Sequence, residues 1–152
     1  MINKKLYSIT LFLFLVSCGY QPIFTKNDSI FSIEGVETIE KNNINSKIKN
    51  ALKIFKKNDN TSKFYDLKIS SSRTRVILSK DSKGDPKIFS LNISIKVNVI
   101  ENNIPKSEKN FNKTVSYNNN SNKFELKQYE DKIASNLTNK IIEEIIIYLQ
   151  SI

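Results

Sequence analysis

Between Phe89 and Val99 the chain alternates without a miss. Phe89, Leu91, Ile93, Ile95, Val97 and Val99 are apolar, and Ser90, Asn92, Ser94, Lys96 and Asn98 between them are polar. Successive side chains of a strand point to opposite faces, so this period of two predicts a half-buried antiparallel strand. Burying each of these apolar side chains contributes ~1.5–3 kcal/mol before chain entropy is subtracted. The segment is therefore expected at the centre of a sheet, and a charge at Ile93 or Ile95 is expected to unfold the domain.

Weaker strands flank it. Ile30 to Val36 reads as a short first strand, with Gly35 marking a bulge or an end. Phe64 to Leu78 alternates through Tyr65, Leu67 and Ile69. Its phase then shifts near Ser70-Ser71-Ser72, so that Val76 and Leu78 carry the apolar set and a bulge or bend is expected between. Lys80 to Pro86 is a turn cluster, and Glu101-Asn102-Asn103 predicts the next hairpin. Phe111, Val115 and Tyr117 share one face of a fourth strand, where Lys109 and Lys113 would protect an edge.

Two segments have helical spacing instead. Ile44, Ile48, Ala51, Leu52 and Phe55 fall on one helical face, and Lys56 to Asn60 ends that helix in a polar turn. Leu126, Tyr129, Ile133, Leu137, Ile141, Ile145 and Leu149 run down one face of a longer helix. Asn122 with Glu125 three residues on predicts a capping box at its start. Near its end Ile145-Ile146-Ile147-Tyr148-Leu149 is apolar nearly all round, which predicts burial on more than one side or contact with a partner. The order is strand, helix, three meandering strands, helix. That predicts an α+β two-layer sandwich, with two helices on one face of a mostly antiparallel four-stranded sheet. The other sheet face is polar and nearly uncharged.

The N-terminus has a different character. Lys4 and Lys5 precede an uncharged apolar run from Leu6 to Val16, too short to span a bilayer and of the length of a secretory signal. Leu15-Val16-Ser17-Cys18 is similar to the lipobox of bacterial lipoproteins, in which the thiol takes a diacylglycerol before the preceding peptide bond is cut. Residues 1–17 are thus expected to be a signal peptide, Cys18 a lipidated N-terminus carrying diacylglycerol and an N-acyl chain, 18–29 a tether, and 30–152 a single domain. Acylation of the chain's one Cys leaves no thiol for a disulfide. Gly19 after the cysteine, in place of the Asp that retains many lipoproteins at the inner membrane, favours the outer membrane.

Charge changes this picture little. The chain holds 24 Lys and Arg against 15 Asp and Glu. Loss of Lys4 and Lys5 with the signal leaves a net +7 on the mature chain. Such a domain can attract anionic lipid, lipopolysaccharide phosphates or an acidic protein. The abundance of Lys, Asn and Ile equally reflects an AT-rich genome and a solvated lysine surface. Export makes nucleic acid an unsuitable partner. The chain has no His, and its one Cys is taken by lipid, which excludes Ser-His-Asp and Cys-His catalysis and the usual His/Cys zinc sites. With Gly at three positions there is no phosphate-cradling loop. Asp81 and Asp85 read as turn residues, and Glu130 and Asp131 as helix-start carboxylates favoured by the dipole. A binding or assembly protein without catalytic residues, metal or cofactor is expected.

Cys18-Gly19-Tyr20-Gln21-Pro22-Ile23-Phe24 resembles the mature N-terminus of the lipopolysaccharide-assembly lipoprotein family LptE, many of whose alphaproteobacterial members begin Cys-Gly-(Phe/Tyr)-x-Pro-(Leu/Ile)-(Tyr/Phe). Tyr65-x-Leu67, the Phe89–Val99 strand, Tyr117, and Ala134, Leu137 and Ile141 fit the family pattern, and Lys132 stands where Arg is common. The last helix departs from it: Tyr129, Ile133 and Thr138 take positions the family fills with small residues, and Arg is absent there. The resemblance implies an outer-membrane protein that sits within and beside the LptD β-barrel, supports its assembly and interacts with lipopolysaccharide. The polar sheet face is compatible with a polar barrel lumen, and equally with solvent. Arg73, Arg75, Lys80, Lys83 and Lys87, on or beside one hairpin, are the candidate ligands for lipopolysaccharide phosphates, the alternative being a solvated hairpin tip. On the first reading, replacing Arg73 and Arg75 with Ala weakens lipopolysaccharide binding and leaves thermal stability unchanged. Two other functions compete: an accessory lipoprotein of an inner-membrane ABC-type lipid transporter and, far behind it, a carboxylate hydrolase of the envelope.

Overall fold

The alternating segment forms β3 (Pro86–Glu101), an inner strand of a four-stranded sheet ordered β1-β2-β3-β4 in a computed structural model of the chain. The structure describes residues 30–56 and 61–152; the leader, Cys18, the tether and Lys57 to Asn60 lie outside the described residues. β1 (Phe31–Thr38) runs parallel to β2 (Lys63–Lys80), whereas β2, β3 and β4 (Ile104–Asn118) form an antiparallel meander. Helix α1 (Asn43–Leu52) carries the chain from β1 to β2, and α2 (Lys123–Ser151) follows β4. The order is the expected β-α-β-β-β-α. The sheet is mixed because a helical crossover returns the chain in its original direction, where a hairpin would reverse it.

Both helices cover one face. Leu91, Ile93, Ile95, Val97 and Val99 of β3 are fully buried beneath them, with Tyr65, Leu67 and Ile69 of β2 alongside. Asn42 caps α1 by accepting from the Asn45 amide at 2.8 Å, and Ile48 and Leu52 enter the core one turn apart. A 3₁₀ turn, Lys53–Phe55, then drops Phe55 onto Phe31 with ring centroids 5.2 Å apart, and Tyr65 completes the stack 6.0 Å from Phe31. In β1 the register shifts between Ile33 and Gly35, so Gly35 does mark a bulge, and the strand continues beyond it to Thr38. A Cβ on Gly35 would lie 2.6 Å from Asp66 Oδ1, so a larger residue there requires the Asp66 side chain to shift. Asn102 and Asn103 have φ of 52° and 62°, the left-handed pair that lets a two-residue turn follow the twist of β3 and β4.

Three expectations are corrected. β2 has no phase break at Ser70-Ser71-Ser72. It pairs with β3 without interruption from Asp66↔Ile100 to Ile77↔Phe89, and the bulge falls at Leu78. A one-residue slip would turn every later side chain over, so the unbroken ladder puts Val76 on the face away from the helices; Leu78 is the bulged residue, and both are exposed. The capping box is half made. Asn122 Oδ1 accepts from the amides of Phe124 and Glu125, but Asn120 takes the place of the return bond, accepting from the Asn122 amide at 2.9 Å and donating to Glu125 Oε2 at 3.1 Å. Along α2 the buried stripe includes Leu126, Ala134, Leu137, Ile141, Ile145 and Leu149, but Tyr129 is exposed and Ile133 only half-buried. Glu130 and Thr138 are buried in their stead. In the apolar run before the C-terminus, Ile145, Ile146 and Leu149 are buried and Ile147 is exposed.

Candidate functional site

Arg73 and Arg75 are the chain's two arginines, and they stand two apart on one strand, hence on one face. That face is the helix face, continuing the series Tyr65, Leu67, Ile69 and Ser71. The N-terminal end of α1 lies at the level of Ser71, where Asn42 Nδ2 donates to Ser71 Oγ at 3.1 Å. Beyond that point α2 alone covers β2, and the arginines bridge the gap. Arg75 Nη1 donates to Glu130 Oε1 at 3.0 Å, Arg73 Nη1 to Asp131 Oδ1 at 2.6 Å, and Arg73 Nη2 stands 3.5 Å from Glu130 Oε2. Tyr117 Oη of β4 donates to the same Glu130 Oε1 at 2.6 Å.

The carboxylate at the centre is nearly sealed: the Glu130 side chain retains 10% of its exposure, whereas Arg75 keeps 50%. Taking a carboxylate from water costs several kcal/mol unless charged donors surround it. Glu130 has two guanidinium groups and a phenol. Guanidinium is suited to this because its planar fork is weakly hydrated and always charged. Arg75 also lies over the Phe89 ring, 4.8 Å from its centroid, and Phe89 packs against Tyr117 at 5.7 Å. The hydrogen bond to Glu130 raises the Arg75 pKa above its ordinary value. Burial, then the bond to Glu130, pushes the Tyr117 phenol well up. Glu130 and Asp131 are therefore not helix-start carboxylates, since they lie in the third turn of α2 and serve as counter-ions to β2. The expectation that both arginines can be lost without cost to stability is replaced for the same reason.

The other candidate cations are placed differently. Lys80, Lys83 and Lys87 are exposed at the β2–β3 hairpin, and among the described residues no ion pair engages them. Asp81 Oδ1 accepts from the amides of Lys83 and Asp85 at 2.9 and 2.8 Å, which ties that carboxylate into the turn. Val76, Ile77 and Leu78 lead into the hairpin as three consecutive exposed apolar residues. The five candidates thus divide into an arginine pair that faces α2 with its charges engaged by carboxylates and a hairpin lysine trio that no ion pair among the described residues engages.

The sheet face away from the helices has its own pattern. Register aligns Ser72 with Ser94 and Asn112, and Thr74 with Asn92 and Thr114; nearer the hairpin Val76 aligns with Ser90 and Ser116. Apart from Val76, these ladders present short hydroxyl and amide side chains with no charge. Charge begins further along, where Lys96 and Glu108 pair at 2.7 Å. Lys109 and Lys113 on the edge strand turn the other way, toward the helix. Lys109 Nζ lies 4.5 Å over the Tyr148 ring and Lys113 pairs with Glu144, so their stems cover the core's margin.

Among the described residues no group of His, Cys, Asp and Glu could hold a metal ion, and no helix is long and apolar enough to cross a membrane. No family model matches the sequence, and no curated protein is similar to it by sequence. Solved structures do share its fold. Rare lipoprotein B from Shewanella oneidensis is 13% identical, with a TM-score of 0.58 over 79% of this chain and 95% of that one. An uncharacterized lipoprotein B from Nitrosomonas europaea gives 12% identity and a TM-score of 0.61 over 88% and 91%. A minor lipoprotein from Acinetobacter baumannii gives 13% identity and a TM-score of 0.62 over 81% and 93%. At this identity the likeness establishes the α+β fold, and all three neighbours are bacterial lipoproteins.

Proposed function

We propose that this chain is a lipid-anchored lipoprotein of the LptE type, held at the periplasmic face of the outer membrane through Cys18. It assembles with an LptD-like β-barrel and assists the insertion of lipopolysaccharide into the outer leaflet, without catalysis. The observation that carries this reading is the uncharged ladder of Ser72, Ser94 and Asn112 with Thr74, Asn92 and Thr114. Short, uncharged polar side chains allow a wall of similar chemistry to approach closely and exchange hydrogen bonds without desolvating a charge, and the interior of an outer-membrane barrel is such a wall. The lipobox-like Leu15 to Cys18 and the likeness of the fold to bacterial lipoproteins support the anchor. For lipopolysaccharide phosphates, Lys80, Lys83 and Lys87 are the available cations, while Arg73 and Arg75 already hold carboxylates.

The test is a photocrosslinking residue at Asn92 on the outer face and, as a control, at Lys132 on the exposed side of α2. In intact cells Asn92 is expected to yield one large product containing an outer-membrane barrel, and Lys132 little or none. Equal labelling from both positions, or a product with inner-membrane transporter subunits, would contradict the proposal.

A further inference from the structure

The tether enters the domain at one end of the sheet, and that end has a distinct surface. Four apolar side chains stand exposed there: Ile30 at 53%, Ile54 at 50%, Phe64 at 39% and Ile104 at 67%. They are not loose ends. Ile30 precedes Phe31, Ile54 precedes Phe55 and Phe64 precedes Tyr65, and those three partners form the aromatic stack. Ile104 pairs with Glu101 at the β3–β4 turn, two residues before Lys106, whose ammonium lies 5.1 Å over the Tyr65 ring. Phe64 alternates with buried Tyr65 and so points to the sheet face away from the helices, while Ile54 lies on the helix side; both stand at the tether end of the sheet. Charge at this end is mixed, with exposed Glu34 beside Lys49, Lys53 and Lys56 and lysines in excess. Glu101 is taken by Lys106 at 2.7 Å, while Lys53 and Lys56 are exposed and no ion pair among the described residues engages them.

We infer that the tether end of the domain is a bilayer-contact surface, seated on an anionic phospholipid leaflet beside the lipid anchor. This rests on the reading of Cys18 as lipidated. Exposed apolar side chains among lysines are the composition that enters the boundary between headgroups and acyl chains. The geometry of the chain selects this end over the other. Residues 18–29 reach at most about 42 Å when fully extended. They join β1 beside Lys63, while the apolar run at Val76 to Leu78 lies at the opposite end of an 18-residue strand. The acyl chains therefore bring Ile30, Phe64 and Ile104 to the membrane first. One shallow contact fixes the tilt of a domain that the lipid anchor alone would leave free, and points the β2–β3 hairpin away from the leaflet.

The chain contains no Trp, so a single introduced Trp is a unique reporter. Full-length protein carrying Ile104→Trp or, independently, Phe64→Trp is purified from membranes and reconstituted into phosphatidylethanolamine–phosphatidylglycerol vesicles with brominated acyl chains. Leu78→Trp marks the opposite end. At least about twofold stronger quenching at 104 and 64 than at 78 is expected, falling when phosphatidylcholine replaces the anionic lipid or when Lys53 and Lys56 become Glu. Equal quenching at both ends, in protein whose intact mass shows acylated Cys18, overturns the contact and leaves the anchor standing. An intact mass with bare Cys18 shows that the anchor reading has failed. In that protein, quenching at 104 that persists supports the contact, and its absence overturns it.

Discussion

The two halves of β2 meet the helices with opposite materials. From Tyr65 to Ile69 the strand lies under both helices, every helix-facing residue is fully buried, and an aromatic stack closes the end. From Arg73 to Ile77 α1 has ended, and α2 alone reaches over the strand through guanidinium–carboxylate bonds. The apolar half draws its stability from area removed from water, which is non-directional and tolerant of small adjustments. The ionic half depends on donors meeting one nearly buried carboxylate, which contributes less but holds α2 in a single register on the sheet. Long charged side chains here span a gap that an aliphatic side chain would leave open to water.

Substitutions should reveal this contrast in graded form. The largest effect is expected from Ile95→Asp, which places an unpaired charge in the fully buried centre of the sheet. Far-ultraviolet circular dichroism should show an unfolded chain at 25 °C. Next, Phe31→Ala should destabilise the apolar half by ~3–5 kcal/mol in urea unfolding, through lost contact with Phe55 and Tyr65. In the ionic half, Glu130→Ala leaves Arg75 and the Tyr117 phenol without their acceptor, at a cost of about 2 kcal/mol. Arg73→Ala, whose partner Asp131 is half exposed, should cost less than about 1 kcal/mol. If Arg73→Ala proved as costly as Phe31→Ala, the two halves would not differ in the way described.

The smallest effect is a pH dependence. The folded state raises the Tyr117 pKa above the ordinary 10.0, so it favours the protonated phenol. That contribution is complete below pH 10 and is lost as pH rises above it, because the unfolded chain ionises first. The difference in Tm between wild type and Tyr117→Phe should therefore be constant from pH 7 to 9 and shrink above about pH 10. A constant difference up to pH 11 would mean that the phenol is not held by Glu130.

The apolar half was legible because its cause is local: period two in Phe89–Val99 and helical spacing through Ile48 and Leu52 each point to one buried face. The ionic half was not, because Glu130 lies 55 residues from Arg75 in the chain. With Val76 and Leu78 both apolar, a phase shift looked simpler than two inward arginines, and Tyr129 looked a better stripe residue than Glu130. One signal was present: in a chain whose other cations are all lysines, two arginines stand at strand spacing, which points to a role that needs the guanidinium fork. The five candidate cations do not form one group, since parity turns Arg73 and Arg75 toward α2 while the Lys80–Lys87 hairpin stays in water. The uncharged outer face was visible on β3, but only the cross-strand register shows that β2 and β4 continue it.

The proposed function turns on docking of this face in a barrel. Its most direct test is purification of the full-length lipidated protein in mild detergent, with co-purifying proteins identified by mass spectrometry. Stoichiometric recovery of one large outer-membrane β-barrel is expected, reduced when Asn92 and Ser94 are replaced by Lys. Recovery of inner-membrane transporter subunits, or of no partner, would contradict it.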